Sequence, residues 1–136
     1  MKKGAELVLK TVTAIEHGDY PQEDQDESGP IKHAPKIFKE TCEIDWTKSS
    51  EEIYNFIRGL SPYPAAWTTI NDKIFKVFSV QKTELKPMSI AVGEYDTDNK
   101  TYLHIQTGGS PIAITELQMQ GKKRMDIGSF LRGAKL

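Results

Sequence analysis

The sequence contains a single cysteine, Cys42, and no apolar run long enough to cross a bilayer. One thiol excludes an internal disulfide, and the lack of neighbouring cysteines argues against a structural metal site. A transmembrane helix needs about 20 predominantly apolar residues, so no membrane span is predicted. Two lysines stand near the N-terminus, but Glu6 and Lys10 interrupt the apolar pattern behind them, unlike in a signal peptide. We therefore expect a cytoplasmic protein.

Recognisable catalytic motifs are also missing from the sequence. It has no phosphate loop, nucleophile elbow or dinucleotide-binding glycine fingerprint. The three histidines, His17, His33 and His104, fall in different predicted elements, and none stands at metal-ligand spacing from another. Asp96 and Asp98 alternate in a predicted turn, but the remaining ligands of a calcium loop are absent. We expect histidines without catalytic work, an inert Cys42 and no bound metal.

The size and composition predict one globular domain with, at most, an appendage. The chain has 136 residues, of which 38% are hydrophobic and 27% are charged. A net charge of −1 argues against a protein that coats nucleic acid through bulk charge. The charge is unevenly placed, however, since residues 1–30 hold three lysines against seven acids (−4) and residues 31–136 hold fifteen basic against twelve acidic residues (+3). A positive patch of this kind could meet phosphate.

The first thirty residues predict a helix followed by a linker. Apolar residues recur at helical spacing from Leu7 to Ile15, which predicts a helix over residues 3–17 that stops near Gly18. Residues 19–30 contain two prolines and, between positions 23 and 27, four acids, a composition that cannot form a core. We interpret this stretch as a linker.

The rest of the chain predicts a small β domain. Ser49 with Glu52 three residues later forms a capping-box pattern before an amphipathic helix, which Pro62 and Pro64 must end. Alternating residues then predict strands at 66–70, 74–80, 88–94, 101–107 and 111–117, with a turn at Asn71-Asp72. Five short strands gain most by closing their edges. The predicted class is therefore mainly β with short helices, a five-stranded OB-like barrel with a final helix within 125–136 plugging one end.

The run Lys122-Lys123-Arg124 after Gly121 is the best functional candidate in the sequence. Three successive cations in a turn can hold several phosphates of a nucleic-acid backbone, although short charge runs are also common in ordinary solvated turns. Both interpretations stay open at this point. For the aromatic residues Trp46, Tyr63 and Trp67, core or turn packing is favoured over a base-stacking role.

Several separated segments, in the correct order, resemble methionyl-tRNA formyltransferase over almost the whole chain. The first segment, Gly4-Ala5-Glu6-Leu7-Val8-Leu9, looks like the last helix of that family's catalytic domain. The linker and helix segments are Gln25-Asp26-Glu27, Ala34-Pro35-Lys36-Ile37, Ile44-Asp45-Trp46, Ser49-Ser50-Glu51-Glu52-Ile53, Pro62-Tyr63-Pro64-Ala65 and Trp67. The terminal segments are Leu117-Gln118, Gly121-Lys122-Lys123-Arg124-Met125 and Phe130-Leu131.

The resemblance implies the RNA-facing part of a formyl-transferring enzyme. In that family, an N-terminal Rossmann-like domain transfers the formyl group of 10-formyltetrahydrofolate to Met-tRNA in translation initiation, and a barrel-like C-terminal domain helps to hold the initiator tRNA. The family's catalytic Asn, His and Asp have no counterpart here, so no catalytic residue, folate site or metal is expected in this chain. The implied tRNA-backbone contacts are Lys36, Lys39, Lys122, Lys123 and Arg124.

The same resemblance implies a domain organisation and leaves an alternative open. Residues 1–18 correspond to the end of the missing catalytic domain, 19–39 to a linker and 40–136 to the OB-like domain. Tyr63 stands where the family usually has Trp, and Ala66 follows Ala65 where a glycine is often seen; both look like packing variation. Formyltransferases acting on sugar nucleotides have a similar C-terminal barrel. The alternative is therefore a structural or dimerisation domain of a related formyltransferase that acts on another amine substrate, such as a sugar nucleotide.

Overall fold

The computed structural model describes residues 2–24, 26, 28–30, 33–134 and 136, in two compact units, Met1–Pro35 and Lys36–Leu136. In the first unit, α1 (Lys2–His17) has the predicted helix with one residue more at its start, and Gly18 ends it with a φ of 68°. The described residues that follow, up to Pro35, form neither helix nor strand. Gln25 and Glu27 of the linker motif lie outside the described residues. The division into a linker at 19–39 and a domain from 40 stays a prediction.

The second unit begins with a short 3₁₀ turn at Glu40–Cys42 and the helix α2 (Ser50–Leu60). The predicted capping box is present, because the Ser49 hydroxyl accepts the Glu52 backbone N–H at 3.3 Å and the Ser49 N–H donates to the Glu52 carboxylate at 3.1 Å. Pro62 and Pro64 follow directly after the helix, where they cannot supply amide hydrogens to continue it. Both ends of α2 are therefore determined by residues next to it in the sequence, the capping box at its start and the two prolines after its end.

An antiparallel sheet curls into a half-barrel behind α2, which confirms the predicted mainly-β, OB-like class. Its five main strands lie in the order β1-β2-β5-β4-β3, and a sixth, short strand pairs with β5. The strands are β1 (Ala66–Ile70), β2 (Lys73–Lys82), β3 (Tyr95–Thr97), β4 (Leu103–Ile105), β5 (Ile112–Met119) and β6 (Met125–Asp126). The final helix, α3 (Ile127–Gly133), lies within the predicted range.

The strand predicted at 88–94 is wrong, because the third strand begins only at Tyr95. Alternating Met88, Ile90 and Val92 suggested a strand, but a turn intervenes in which the Glu94 N–H donates to the Ala91 carbonyl. Gly93 has a φ of 88° in this turn, outside the range of a strand. The fourth strand is also shorter than the predicted 101–107, whereas β2 and β5 are longer than expected.

The core lies between the concave sheet and the two helices of the second unit. Ile53 and Ile57 of α2 are almost fully buried, and α2 packs on β2. At another part of the core Phe130 of α3 meets Phe75 of β2 edge to face, with ring centroids 5.6 Å apart. Buried side chains from the strands complete the core: Val77, Val80, Leu103, Ile105, Ile112, Ile114 and Leu117. Burial of this apolar surface is the main stabilising contribution to the unit.

The segment before α2 covers part of the edge of the sheet. The Ile44 N–H donates to the Trp67 carbonyl at 2.9 Å, and Glu43 forms a parallel bridge with Trp67 in the edge strand β1. At the far end of β1, the Asn71 side-chain amide donates to the Tyr95 hydroxyl at 2.9 Å. These contacts tie the edge strand β1 to the chain before α2 and to the opposite edge strand, β3. No helix in the described part of the chain is both long and apolar enough to span a bilayer.

Candidate nucleic-acid interface

The basic turn, Gly121 to Arg124, joins β5 to β6 and is fixed by backbone geometry. The Lys122 N–H donates to the Met119 carbonyl at 2.9 Å, which closes a β-turn. Gly121 occupies the third position of that turn with a φ of 76°, a conformation that glycine adopts without steric cost. The Gln118 side-chain amide donates to the Lys122 carbonyl at 2.8 Å. Lys122 and Lys123 are thus presented, exposed, from a well-supported loop.

Arg124 differs from the two lysines because it has a partner inside the fold. Its Nε donates to Glu116 Oε1 at 2.6 Å and its Nη2 to Glu116 Oε2, a bidentate ion pair across the β5–β6 hairpin. The guanidinium also lies 4.2 Å from the centroid of the Phe78 ring. The hydrogen bonds from Arg124 lower the pKa of Glu116, and the same contacts raise the pKa of Arg124. Glu116 therefore offsets the charge of Arg124 at neutral pH.

A depression of about 300 Å³ lies beside the basic turn, and we call it the amide depression. It is lined by Lys39, Ile74, Lys76, Gln118, Gln120 and Gly121. The structure therefore brings the predicted Lys39 next to the first residue of the basic turn, eighty-two positions further along the chain (121 − 39). Two cations and two carboxamides in one concave surface provide hydrogen-bond donors suited to phosphate and sugar oxygens.

A second depression, of about 340 Å³, shares Lys39, Ile74 and Lys76 with the first, and we call it the aromatic depression. Its other walls include Phe38, Tyr63 and Trp67. Lys39 Nζ lies 5.7 Å from the centroid of the Trp67 ring, and the Trp67 indole N–H donates to the Lys39 carbonyl at 2.8 Å. Two contacts thus hold the backbone and side chain of Lys39 against Trp67.

Lys36 and Lys76 complete the cations of this surface. Lys36 Nζ lies 5.4 Å from the centroid of the Phe38 ring, which places this predicted residue beside the aromatic depression. Lys76 is exposed on β2, and its Nζ donates to the Pro64 carbonyl at 3.3 Å. Sequence reasoning missed Lys76, because a single lysine in an alternating strand looks like any solvent-facing residue. Only the strand register and the fold place it between Lys39 and Gln118, its direct partner on β5.

The aromatic side chains divide into two anchored residues and one exposed residue. The Trp46 indole N–H donates to the Thr68 hydroxyl at 2.9 Å, and Trp67 is held by Lys39 as described, so both pack as predicted. Tyr63 differs from the packing prediction, because 86% of its surface is exposed. Neighbouring Ile37 and Phe38 are also more than half exposed. The aromatic depression therefore has a solvent-facing apolar side.

Of the remaining candidates from the sequence, Cys42 lines the aromatic depression, and neither Asp98 nor His104 is among the residues that line the two depressions. Cys42 is buried, and its thiol donates to the Phe38 carbonyl. Asp98 accepts hydrogen bonds from the backbone N–H groups of Lys100 and Thr101 and from the Thr101 hydroxyl, which lowers the pKa of Asp98 and shows it to be a turn-capping residue. His104 stacks on Tyr102 with ring centroids 4.6 Å apart. Within the described residues, no three acidic, histidine or cysteine side chains are grouped to hold a metal.

The fold is shared with solved structures of a larger protein. HypX from Aquifex aeolicus, in complex with tetrahydrofolic acid, matches 96% of this chain with a TM-score of 0.67, and the match covers 23% of HypX. A variant of the same protein gives a TM-score of 0.67 at 23% sequence identity. At this level of identity the likeness defines the class of fold, an OB-like domain, and nothing further.

Sequence comparison defines the family. The model of the formyl transferase C-terminal domain matches residues 36–135, and the chain belongs to that family. It is 42% identical to methionyl-tRNA formyltransferases of Azobacteroides pseudotrichonymphae and Phocaeicola vulgatus, over 98% of this chain in both cases. The corresponding enzyme of Agathobacter rectalis is 41% identical over 96% of the chain. The chain spans about 44% of the length of the first two relatives.

Proposed function

We propose that this chain is the tRNA-binding domain of a methionyl-tRNA formyltransferase and helps to position initiator Met-tRNA for N-formylation from 10-formyltetrahydrofolate. Its relatives carry that enzyme's name, and the fold places Lys39 and Lys76 beside the basic turn. None of the described residues lining the amide and aromatic depressions is acidic. The observation that carries the proposal is this lining, which includes Lys39 and Lys76 and no described acidic residue in a chain whose net charge is −1.

The contacts would be electrostatic and independent of base sequence. Lys36, Lys39, Lys122 and Lys123 would meet phosphates of the tRNA backbone, and the described structure shows no carboxylate within ion-pairing distance of these four. Arg124 was predicted to share this role. Its bidentate pair with Glu116 instead supports a role in holding the basic turn, with a smaller contribution to phosphate binding.

Salt dependence of tRNA binding tests the proposal. Each phosphate contact contributes roughly 0.7 to 0.9 to the slope of log affinity against log salt. We expect the double variant Lys122→Ala/Lys123→Ala to bind initiator tRNA more weakly, with a slope shallower by about 1.4 to 1.8. Lys86→Ala/Lys100→Ala removes the same charge from two exposed positions outside the two depressions and is the matched control. Equal slopes for the two double variants would refute a role for the basic turn.

Formyl transfer would require the part of the relatives that this chain does not span. We expect the chain alone, mixed with initiator Met-tRNA and 10-formyltetrahydrofolate, to leave the methionine unmodified. Mass spectrometry of the aminoacyl group measures this directly. Turnover by the chain alone would place the catalytic site among these 136 residues and contradict the proposal.

A structural or dimerisation role is the second candidate, and one observation favours it. The apolar side chains of α1 are exposed, with Leu7 at 64% and Ile15 at 57%. An exposed apolar helix face commonly marks a protein contact. Sedimentation equilibrium of the chain would show a dimer if this face joins two copies, and Leu7→Glu would then restore the monomer.

A further inference from the structure

We propose that the aromatic depression binds an unpaired nucleotide of the RNA, with its base on Tyr63 and its phosphate at Lys39 and Lys76. The inference rests on the proposed tRNA-binding function and deepens it, because backbone contacts alone need no base-stacking residue. It also departs from the sequence interpretation, in which Tyr63 packs into a turn.

Exposure selects Tyr63 among the aromatic side chains of this surface. Trp67 is unsuited to stacking with a base, because its indole N–H is bonded to the Lys39 carbonyl and Lys39 Nζ lies over its ring. Phe38 has Lys36 Nζ over its ring, 5.4 Å from the centroid. Among the described residues, none makes either kind of contact with Tyr63, which is 86% exposed between Pro62 and Pro64. The two flanking prolines restrict the backbone at this position, and an exposed aromatic ring can stack on any base.

Charge indicates that the occupant is a nucleotide. Tyr63 lines the same depression as Lys39 and Lys76, so the exposed ring and the two cations face one concave space of about 340 Å³. The depression continues through Lys39, Ile74 and Lys76 into the amide depression, where Gln120 is an exposed carboxamide. An apolar ring next to two cations matches the two halves of a nucleotide, a flat base and an anionic phosphate.

The base on Tyr63 must be unpaired. In a duplex both faces of each internal base are stacked, so a tyrosine ring projecting from a protein surface cannot reach them without unstacking the helix. A single-stranded segment, a loop or a terminal overhang exposes base faces at little cost. The surface should therefore prefer single-stranded RNA over a duplex of equal charge, whereas a purely electrostatic surface would prefer the denser charge of the duplex.

The test compares two RNA probes, a fluorescently labelled five-nucleotide single strand and a blunt duplex, by anisotropy with the full chain. Tyr63→Ala removes one base–aromatic stack, so we expect this variant to bind the single strand about 5- to 150-fold more weakly than the wild type. Its salt slope and its affinity for the duplex should be unchanged. Tyr63→Trp, which keeps the ring, should retain the affinity. Tyr20→Ala removes another exposed tyrosine, in the first unit, and is the matched control. Lys76→Ala should instead make the salt slope shallower for the single strand.

The outcomes separate this inference from the proposed function. If Tyr63→Ala binds the single strand as tightly as Tyr20→Ala, Tyr63 is not a stacking residue and the inference is refuted. If tRNA still binds with a slope that depends on Lys122 and Lys123, the proposed function survives that result. Equal weakening of single-strand and duplex binding by Tyr63→Ala would also overturn the inference, because it would point to a general disturbance of the surface.

Discussion

Replacing Gly108 by alanine should strongly destabilise the second unit, because backbone from another loop occupies the space for a side chain. A Cβ at this position would lie 2.0 Å from the Thr47 carbonyl oxygen and 3.1 Å from the Lys48 carbonyl oxygen. A Cβ atom does not approach another heavy atom closer than 3.0 Å, so the loop that contains Thr47 must move by about 1 Å. Gly108 also donates its N–H to the Trp46 carbonyl at 2.9 Å and to the Lys48 carbonyl at 3.0 Å.

The expected cost follows from these contacts. Overpacking of a tight site costs roughly 2 kcal/mol, and loss of the shared hydrogen bond adds about 1 kcal/mol. The total of about 3 kcal/mol corresponds to a factor of about 100 in the folding equilibrium. Gly109→Ala is the matched control, because its Cβ would meet nothing closer than the Thr107 hydroxyl at 4.0 Å. We expect Gly109→Ala to stay within about 1 kcal/mol of the wild type.

Urea unfolding followed by tryptophan fluorescence measures both variants. Trp46 lies at the predicted clash and should report the loss of structure directly. The slope of the free energy of unfolding against urea should be unchanged, which shows that the same surface is exposed in each variant. Free energies of unfolding within 1 kcal/mol of each other for Gly108→Ala and Gly109→Ala would refute the reasoning, since the loop at Thr47 would then yield freely.

Two further predictions concern the helix cap and the ion pair. Ser49→Ala removes the hydroxyl that accepts the Glu52 N–H and should lower the free energy of unfolding by about 1 kcal/mol. The control Ser50→Ala changes the first residue of α2 and should lower it less. Similar losses for the two variants in urea unfolding would contradict the role of Ser49 as a cap. The lowered pKa of Glu116 means that its pair with Arg124 stabilises the fold above the ordinary glutamate pKa of 4.5 and that this contribution is lost as the pH falls below it. The difference in stability between the wild type and Glu116→Gln should therefore shrink between pH 6 and about pH 3, and a constant difference would show that the pair contributes through packing alone.

Features determined by a few neighbouring residues could be predicted from the sequence. The capping box at Ser49 and Glu52 and the turn at Asn71-Asp72 both depend on contacts within four residues, and both are present. The core faces of α2 and β5 also follow from their apolar periodicity. The resemblance to a family added the expectation of a catalytic-domain helix, a linker and a barrel-like domain, which periodicity alone does not determine.

Features that depend on distant residues could not be predicted. Met88, Ile90 and Val92 alternate as the residues of a strand do. The pairing of β3 with β4, however, begins only at Tyr95, after the turn at Gly93. The partner of Arg124 is Glu116, and only the register of the β5–β6 hairpin brings the two together. The position of Lys76 beside Lys39 likewise requires the complete fold.

The short bridge between Glu43 and Trp67 has a consequence for how this unit behaves in solution. An uncovered edge strand offers unpaired N–H and C=O groups to other chains and promotes aggregation. Because Ile44 donates to the Trp67 carbonyl, the few residues before α2 shield part of β1 from such pairing. A shortened chain that starts after Asp45 would lose the buried residues Cys42 and Ile44 and would also expose this edge, so we expect it to be less stable and more prone to self-association.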